Sequence, residues 1–120
     1  MNVPDPAAFA STWVAAWNAH DLEAVLAMFH DDVVFSSPVA ARLLPETGGV
    51  VHGKDELRRY WSEGLRHLPD LHFTVERVFA GVDAIVIEYR NQNGGLVDEV
   101  LVLADGLVVR GHGTYLVDPA

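Results

Sequence analysis

The chain has no cysteine, so neither disulfides nor thiolate chemistry is open to it, a composition typical of a reducing, cytoplasmic setting. Basic residues are scarce: eight Lys and Arg stand against seventeen Asp and Glu, for a formal charge of −9. That balance opposes nucleic acid and anionic membrane as partners, because both are negative themselves. No stretch approaches the ~18 apolar residues of a transmembrane helix. The N-terminus, Met1-Asn2-Val3-Pro4-Asp5-Pro6, lacks the basic start and apolar run of a signal peptide. The expectation is a cytoplasmic protein that binds neither nucleic acid nor membrane.

Recognisable metal and nucleotide motifs are missing too. His20, His30, His52, His67, His72 and His112 show no His-x-His or His-Glu-x-x-His spacing, so no metal site is expected, although one built from His52, Glu99 and His112 stays open. No glycine-rich phosphate loop follows a strand and opens a helix, so no nucleotide cofactor is expected. There is no internal repeat, low-complexity tract or domain boundary.

What is present is ample apolar content. With 120 residues, half of them hydrophobic, the chain can bury one core, and a single domain spanning 1–120 is expected. Asp5-Pro6 is a helix-start signal, and Phe9, Trp13 and Trp17 then recur every four residues. Asp21 can cap a second helix carrying Leu22, Val25, Leu26 and Phe29. A short strand is expected at 33–35, then a long loop over 36–53 containing Pro38, Arg42, Pro45, Gly48 and Gly49. Loops of that length in compact domains are usually functional or mobile. A third helix over 54–68 turns Leu57, Tyr60, Trp61 and Leu65 to one side.

Every later segment reads as strand: 71–79, 84–91, 96–103 and 107–117 are rich in β-branched and aromatic residues and are separated by turn-forming sequences. The order α-α-β-α-β-β-β-β predicts an α+β fold in which three N-terminal helices cover a curved antiparallel sheet. Curling of the last strands leaves a concave end, a natural pocket.

Three stretches, Trp13-Val-Ala-Ala-Trp-Asn-Ala-His-Asp-Leu22, Met28-Phe-His-Asp-Asp-Val33 and Gly53-Lys-Asp-Glu-Leu57, resemble the nuclear transport factor two-like superfamily, and within it the SnoaL-like family. The resemblance spans nearly the whole chain and implies a cone-shaped fold enclosing a small-molecule pocket. It does not imply one activity, because the superfamily includes polyketide cyclases, ketosteroid isomerases, epoxide hydrolases, dehydratases, binding proteins and transport adaptors. Set against the ketosteroid isomerases, their first-helix tyrosine falls on Trp13 and their aspartate base on Ser37. Their buried aspartic acid falls near Glu99. With two of three reactive groups replaced, that isomerase reaction is rejected.

The remaining candidates come from the residues themselves. If Asp105-Gly106 forms a two-residue type I′ turn, Ala104 pairs with Leu107, and counting outward sets Leu101 opposite Arg110 and Glu99 opposite His112. A carboxylate beside an imidazole fits general acid/base catalysis; the alternative is a structural pair on the opposite sheet face. Arg110 is a candidate clamp for a ligand anion or else an ion-pair partner of Glu88 or Glu99. His52 sits at the end of the long loop, at a candidate cavity mouth or simply in solvent.

Trp13, Trp17, Phe35, Tyr60, Trp61 and Tyr89 are candidate ligand-contacting walls, although ordinary core is the commoner role of such residues, and Ser37 is a candidate hydrogen-bonding group. The functional expectation is a small-molecule-binding protein. It would be either an enzyme of isomerase, cyclase, dehydratase or hydrolase type acting through Glu99 and His112, or a carrier, sensor or adaptor. A homodimer through the outer sheet face, carrying Val100, Val102 and Val109, fits each of these.

Overall fold

Helix starts are written in short polar side chains. The Asp5 carboxylate accepts from the Ala7 amide at 3.0 Å, and Pro6 opens α1 (Pro6–Asn18) where its missing N–H costs nothing. Along α1, Phe9, Ala10, Trp13, Ala16 and Trp17 form one buried stripe. Asp21 caps α2 (Leu22–Leu26) by accepting from the Ala24 amide at 3.1 Å, and Val25 and Leu26 turn inward. The computed structural model describes residues 4–117, so the outermost residues of the expected 1–120 domain lie outside it.

β1 (Phe29–Ser36) is longer than the stretch 33–35, because the polar residues His30, Asp31 and Asp32 continue the extended backbone at the surface. The segment 36–53 is not one loop. It holds α3 (Pro38–Leu43), a 3-10 turn at Pro45–Thr47 and β2 (Val50–His52). Each piece is too short to show a period, but α3 has a local cause: Ser37 Oγ accepts from the Val39 amide at 3.1 Å and Pro38 takes the first helical position. The cover is therefore four helices rather than three.

α4 (Lys54–His67) buries Leu57, Tyr60 and Trp61. Asp55 and Glu56 lie in its first turn, Arg66 and His67 in its last, matching the helix dipole at both ends. β3 (Thr74–Ala80), β4 (Ala84–Arg90), β5 (Leu96–Ala104) and β6 (Leu107–Tyr115) form an antiparallel meander. β3 begins later than residue 71 because Leu71 and Phe73 are tied to the end of α1 instead. Asn18 accepts from the Phe73 amide at 2.8 Å and donates to its carbonyl at 3.0 Å, and His20 bonds the Leu71 carbonyl at 2.9 Å.

The complete sheet runs β2-β1-β6-β5-β4-β3, with β1 and β6 parallel. The Asp105-Gly106 turn has φ of +52° and +81°, and Ala104 pairs with Leu107 and Leu103 with Val108. One residue later the ladder slips. Val109 is an extra residue in β6, and from there Val102 pairs with Arg110, Leu101 with Gly111, Val100 with His112 and Glu99 with Gly113. The β1–β6 pairing shifts at the same level, between Phe29 and Val34. Irregularities of this kind bend strands and raise their twist, and here they curl the sheet around the helices.

Between sheet and helices, aromatic rings pack into one cluster. Trp13 lies 5.7 Å from Phe73 and 5.3 Å from Tyr89, while Trp61 stands edge-on to Trp17 at 5.0 Å and to Phe35 at 5.8 Å. Such pairs each add about 0.5–1.5 kcal/mol beyond area burial. The opposite sheet face carries Val34, Val86, Val100 and Val102, all half-buried, with Phe79 48% exposed at its edge. No helix among the described residues is long and apolar enough to cross a membrane.

Candidate functional site

Alternation along the strands decides what faces the helices. On β5, Val97, Glu99, Leu101 and Leu103 point inward, and on β4, Ile85, Ile87 and Tyr89 do the same. Apolar side chains fill the space near the Asp105-Gly106 turn. Toward the other end a cavity of about 310 Å³ stays open. Its walls include Trp13, Trp17, Phe35, Tyr60, Trp61 and Phe73, and its polar groups are Ser37, Arg42, Glu99, Tyr115 and the turn residues Asn91, Gln92 and Asn93. This lies at the small end of the ~300–1,000 Å³ typical of ligand pockets.

Glu99 is 8% exposed and lies in the cavity wall. Tyr89 Oη donates to its Oε1 at 3.2 Å. Burial pushes the Glu99 carboxyl up from 4.5 to about 7, with the Tyr89 hydrogen bond pulling the other way. Near neutral pH it is divided between acid and carboxylate, the condition under which one group both accepts and returns a proton.

The second polar group is assembled around Ser37. Tyr60 Oη donates to Ser37 Oγ at 3.1 Å, and that oxygen also accepts from the Val39 amide. With both acceptor positions occupied, the Ser37 hydroxyl keeps its own proton to donate. Burial raises the Tyr60, Tyr89 and Tyr115 hydroxyls above their ordinary range, so all three stay protonated at neutral pH.

Two glycines of β6 make room for this arrangement. A side chain at Gly113 would place its first carbon 3.4 Å from Ser37 Oγ and 3.5 Å from Glu99 Oε1, so the two polar groups converge over the bare backbone. At Gly111 that carbon would meet the Phe35 ring at 2.6 Å.

Of the candidate residues, Glu99, Trp13, Trp17, Ser37, Tyr60, Trp61 and Tyr89 come together in the cavity wall. Glu99 and His112 do not pair. The extra residue Val109 turns His112 to the outer face opposite Val100, where its Nδ1 is 2.6 Å from Ser36 Oγ. Arg110 is exposed on that face between Val34 and Val102, not opposite Leu101 and not against Glu88 or Glu99. His52 is exposed on β2, paired with Val34 and away from the cavity. His52, Glu99 and His112 are therefore not gathered, and no group of three metal-ligating side chains occurs among the described residues.

Sequence reasoning passed over Tyr115, Phe73 and the Asn91-Gln92-Asn93 turn. Tyr115 had an available signal, since it lies two residues beyond Gly113 on the same strand face. The turn had none, because its approach to the cavity depends on how far the sheet curls.

A model of the SnoaL-like domain matches residues 10–116. The chain belongs to the SnoaL-like family. It is 39% identical to a SnoaL-like protein of unknown function from Burkholderia thailandensis, over 93% of this chain and 94% of that one, with a TM-score of 0.88. It is also similar to a putative polyketide cyclase from Sinorhizobium meliloti, at 13% identity and TM-score 0.73 over 88% of this chain and 92% of that one. AclR, a putative hydroxylase from Streptomyces galilaeus, matches at 22% identity and TM-score 0.71 over 95% of this chain and 90% of that one. At those identities the last two share the fold with this SnoaL-like chain. None of the curated proteins matches it.

Proposed function

We propose that this SnoaL-like protein binds a small aromatic or apolar carbonyl compound in the cone and moves a proton at the carbon beside the carbonyl, with Glu99 as base and acid. The observation that carries this reading is the place of Glu99: a buried carboxyl, near half-ionisation at pH 7, in the wall of an aromatic cavity. Its carboxylate takes the C–H proton, and the bond's electron pair moves onto the carbonyl oxygen. The Ser37 hydroxyl, backed by Tyr60, or the Tyr115 hydroxyl donates to that oxygen as charge develops. Glu99 then returns the proton to another carbon conjugated with the enolate, or the enolate carbon attacks a second carbonyl of the same molecule, whose C=O π pair moves onto its oxygen and takes the proton from Glu99 to leave a hydroxyl. These outcomes are isomerisation and ring closure. The polyketide cyclase likeness favours the second at the level of fold alone.

A carrier is the competing reading, favoured by the absence of a second carboxyl or imidazole among the residues lining the cavity. A neutral Glu99 would then donate to a ligand oxygen without proton transfer.

The two separate on 2-tetralone in deuterated water. The acid/base reading expects protein-catalysed hydrogen–deuterium exchange beside the carbonyl, lost in Glu99→Gln and kept in His112→Ala. Binding without exchange above background favours the carrier, and exchange that survives Glu99→Gln removes Glu99 from the mechanism.

A further inference from the structure

We propose that the natural ligand of the cavity is an aromatic acid, an aryl carboxylate whose charged end is held by Arg42 while its ring system lies against the tryptophans. This rests on the small-molecule reading above and narrows its ligand class.

The starting observation is what the cations do in an acid-rich chain. Lys54 pairs with Asp31, Arg58 with Glu23 and Asp55, Arg59 with Glu46, Arg66 with Glu63, Arg77 with Glu88, and Arg90 with Glu76. Arg42 and Arg110 are the remaining basic residues, and neither has an ion-pair partner among the described residues. With more than two acids for each base, a cation left unpaired is the exception. Both side chains are exposed, but Arg110 lies on the outer side of the sheet, whereas Arg42 lines the cavity.

Arg42 belongs to the last turn of α3, the helix whose first turn is capped by Ser37. One short helix thus presents a hydroxyl to the cavity at its start and a guanidinium at its end. The tyrosines register this field: Arg42 favours the ionised forms of Tyr60 and Tyr115, and Glu99 disfavours them. The cavity is therefore polarised, with a carboxyl group at one place and, at another, a cation without an ion-pair partner among the described residues.

An anionic ligand has one favourable orientation in such a field. Its carboxylate is repelled by the ionised fraction of Glu99 and accepted by the planar fork of Arg42, which matches a carboxylate bidentately. The rest of the ligand must be flat and apolar, because the intervening walls are Trp13, Trp17, Trp61 and Phe73. The Gln92 side-chain oxygen, buried in the same wall, lacks a hydrogen-bond partner among the described residues, and a ring hydroxyl on the ligand would satisfy it.

The test uses two probes of matched shape, 2-naphthoate and 2-naphthamide. Binding is measured by calorimetry and by the indole N–H signals of Trp13, Trp17 and Trp61. Both probes are expected to shift those signals, with the carboxylate bound about tenfold more tightly, as one charge-assisted pair provides. Arg42→Gln, at an exposed position that spares the fold, is expected to erase the difference by weakening 2-naphthoate alone, and Arg42→Lys to restore part of it. Equal affinities in the wild type, or an Arg42→Gln loss shared by both probes, overturn the Arg42 assignment and leave the pocket reading standing. Indole signals unmoved by either probe overturn both.

Discussion

Tyr89 on β4 and Glu99 on β5 are joined by a 3.2 Å hydrogen bond inside the cone, the tyrosine donating, in a wall that is otherwise largely apolar. The bond favours the carboxylate and burial favours the acid. Burial dominates, which leaves Glu99 near 7 rather than near 4.5.

That raised value makes the fold pH-sensitive in a definite direction. Between pH 4.5 and about 7 the native state keeps a proton that the unfolded chain gives up. The contribution of Glu99 to stability is therefore full below 4.5, falls as pH rises through the window, and is constant above it. At about 1.4 kcal/mol per pH unit the change is on the order of 3 kcal/mol. Urea denaturation of wild type and Glu99→Gln across pH 4 to 8 is expected to show the variant gaining on the wild type through that interval. A constant difference between the two proteins would contradict the assignment.

Tyr89→Phe removes the hydrogen bond from Tyr89 that steadies the carboxylate. The Glu99 midpoint is expected to move further up, and any Glu99-dependent rate to move its basic-pH requirement with it. The fold should lose only about 1 kcal/mol, the ordinary net worth of such a bond. A downward shift of the pH profile in this variant would show that Tyr89 does not act on Glu99 as described.

Gly111→Ala and Gly113→Ala, two residues apart on one strand face, are expected to behave differently. The new carbon at 111 lies 2.6 Å from a buried phenylalanine ring, so Gly111→Ala should cost about 1–3 kcal/mol by overpacking. At 113 the nearest atoms stand at 3.4 Å and beyond, so stability should hardly change. The methyl group instead occupies the space between Ser37 and Glu99, so ligand affinity should fall. Thermal melts and probe titrations of both variants check the contrast.

Much of the architecture was legible in single residues. Asp5-Pro6 and Asp21 cap helices as their chemistry dictates, the Phe9, Trp13 and Trp17 spacing marks a buried stripe, and Asp105-Gly106 forms the hairpin turn with both φ values positive. The cavity wall was legible in part, because aromatic residues and a lone inward carboxyl stand out in a strand pattern. The pairing of Glu99 with His112 was not. Nothing in Val108-Val109-Arg110-Gly111 marks Val109 as an extra residue. The slip accompanies a change in how β6 meets β1, a contact between segments some 75 positions apart in sequence. Arg42 was equally hard to rank, since a cation becomes unusual only when the tertiary partners of every other cation are known.

The most direct test is the titration of the Glu99 carboxyl itself, followed by 13C NMR on glutamate-labelled protein and assigned by the signal missing from Glu99→Gln. A midpoint near 7, displaced when 2-naphthoate or 2-tetralone binds, is the expected result. A midpoint near the ordinary 4.5, or one indifferent to both compounds, would contradict Glu99 as the proton-transferring group of the cavity.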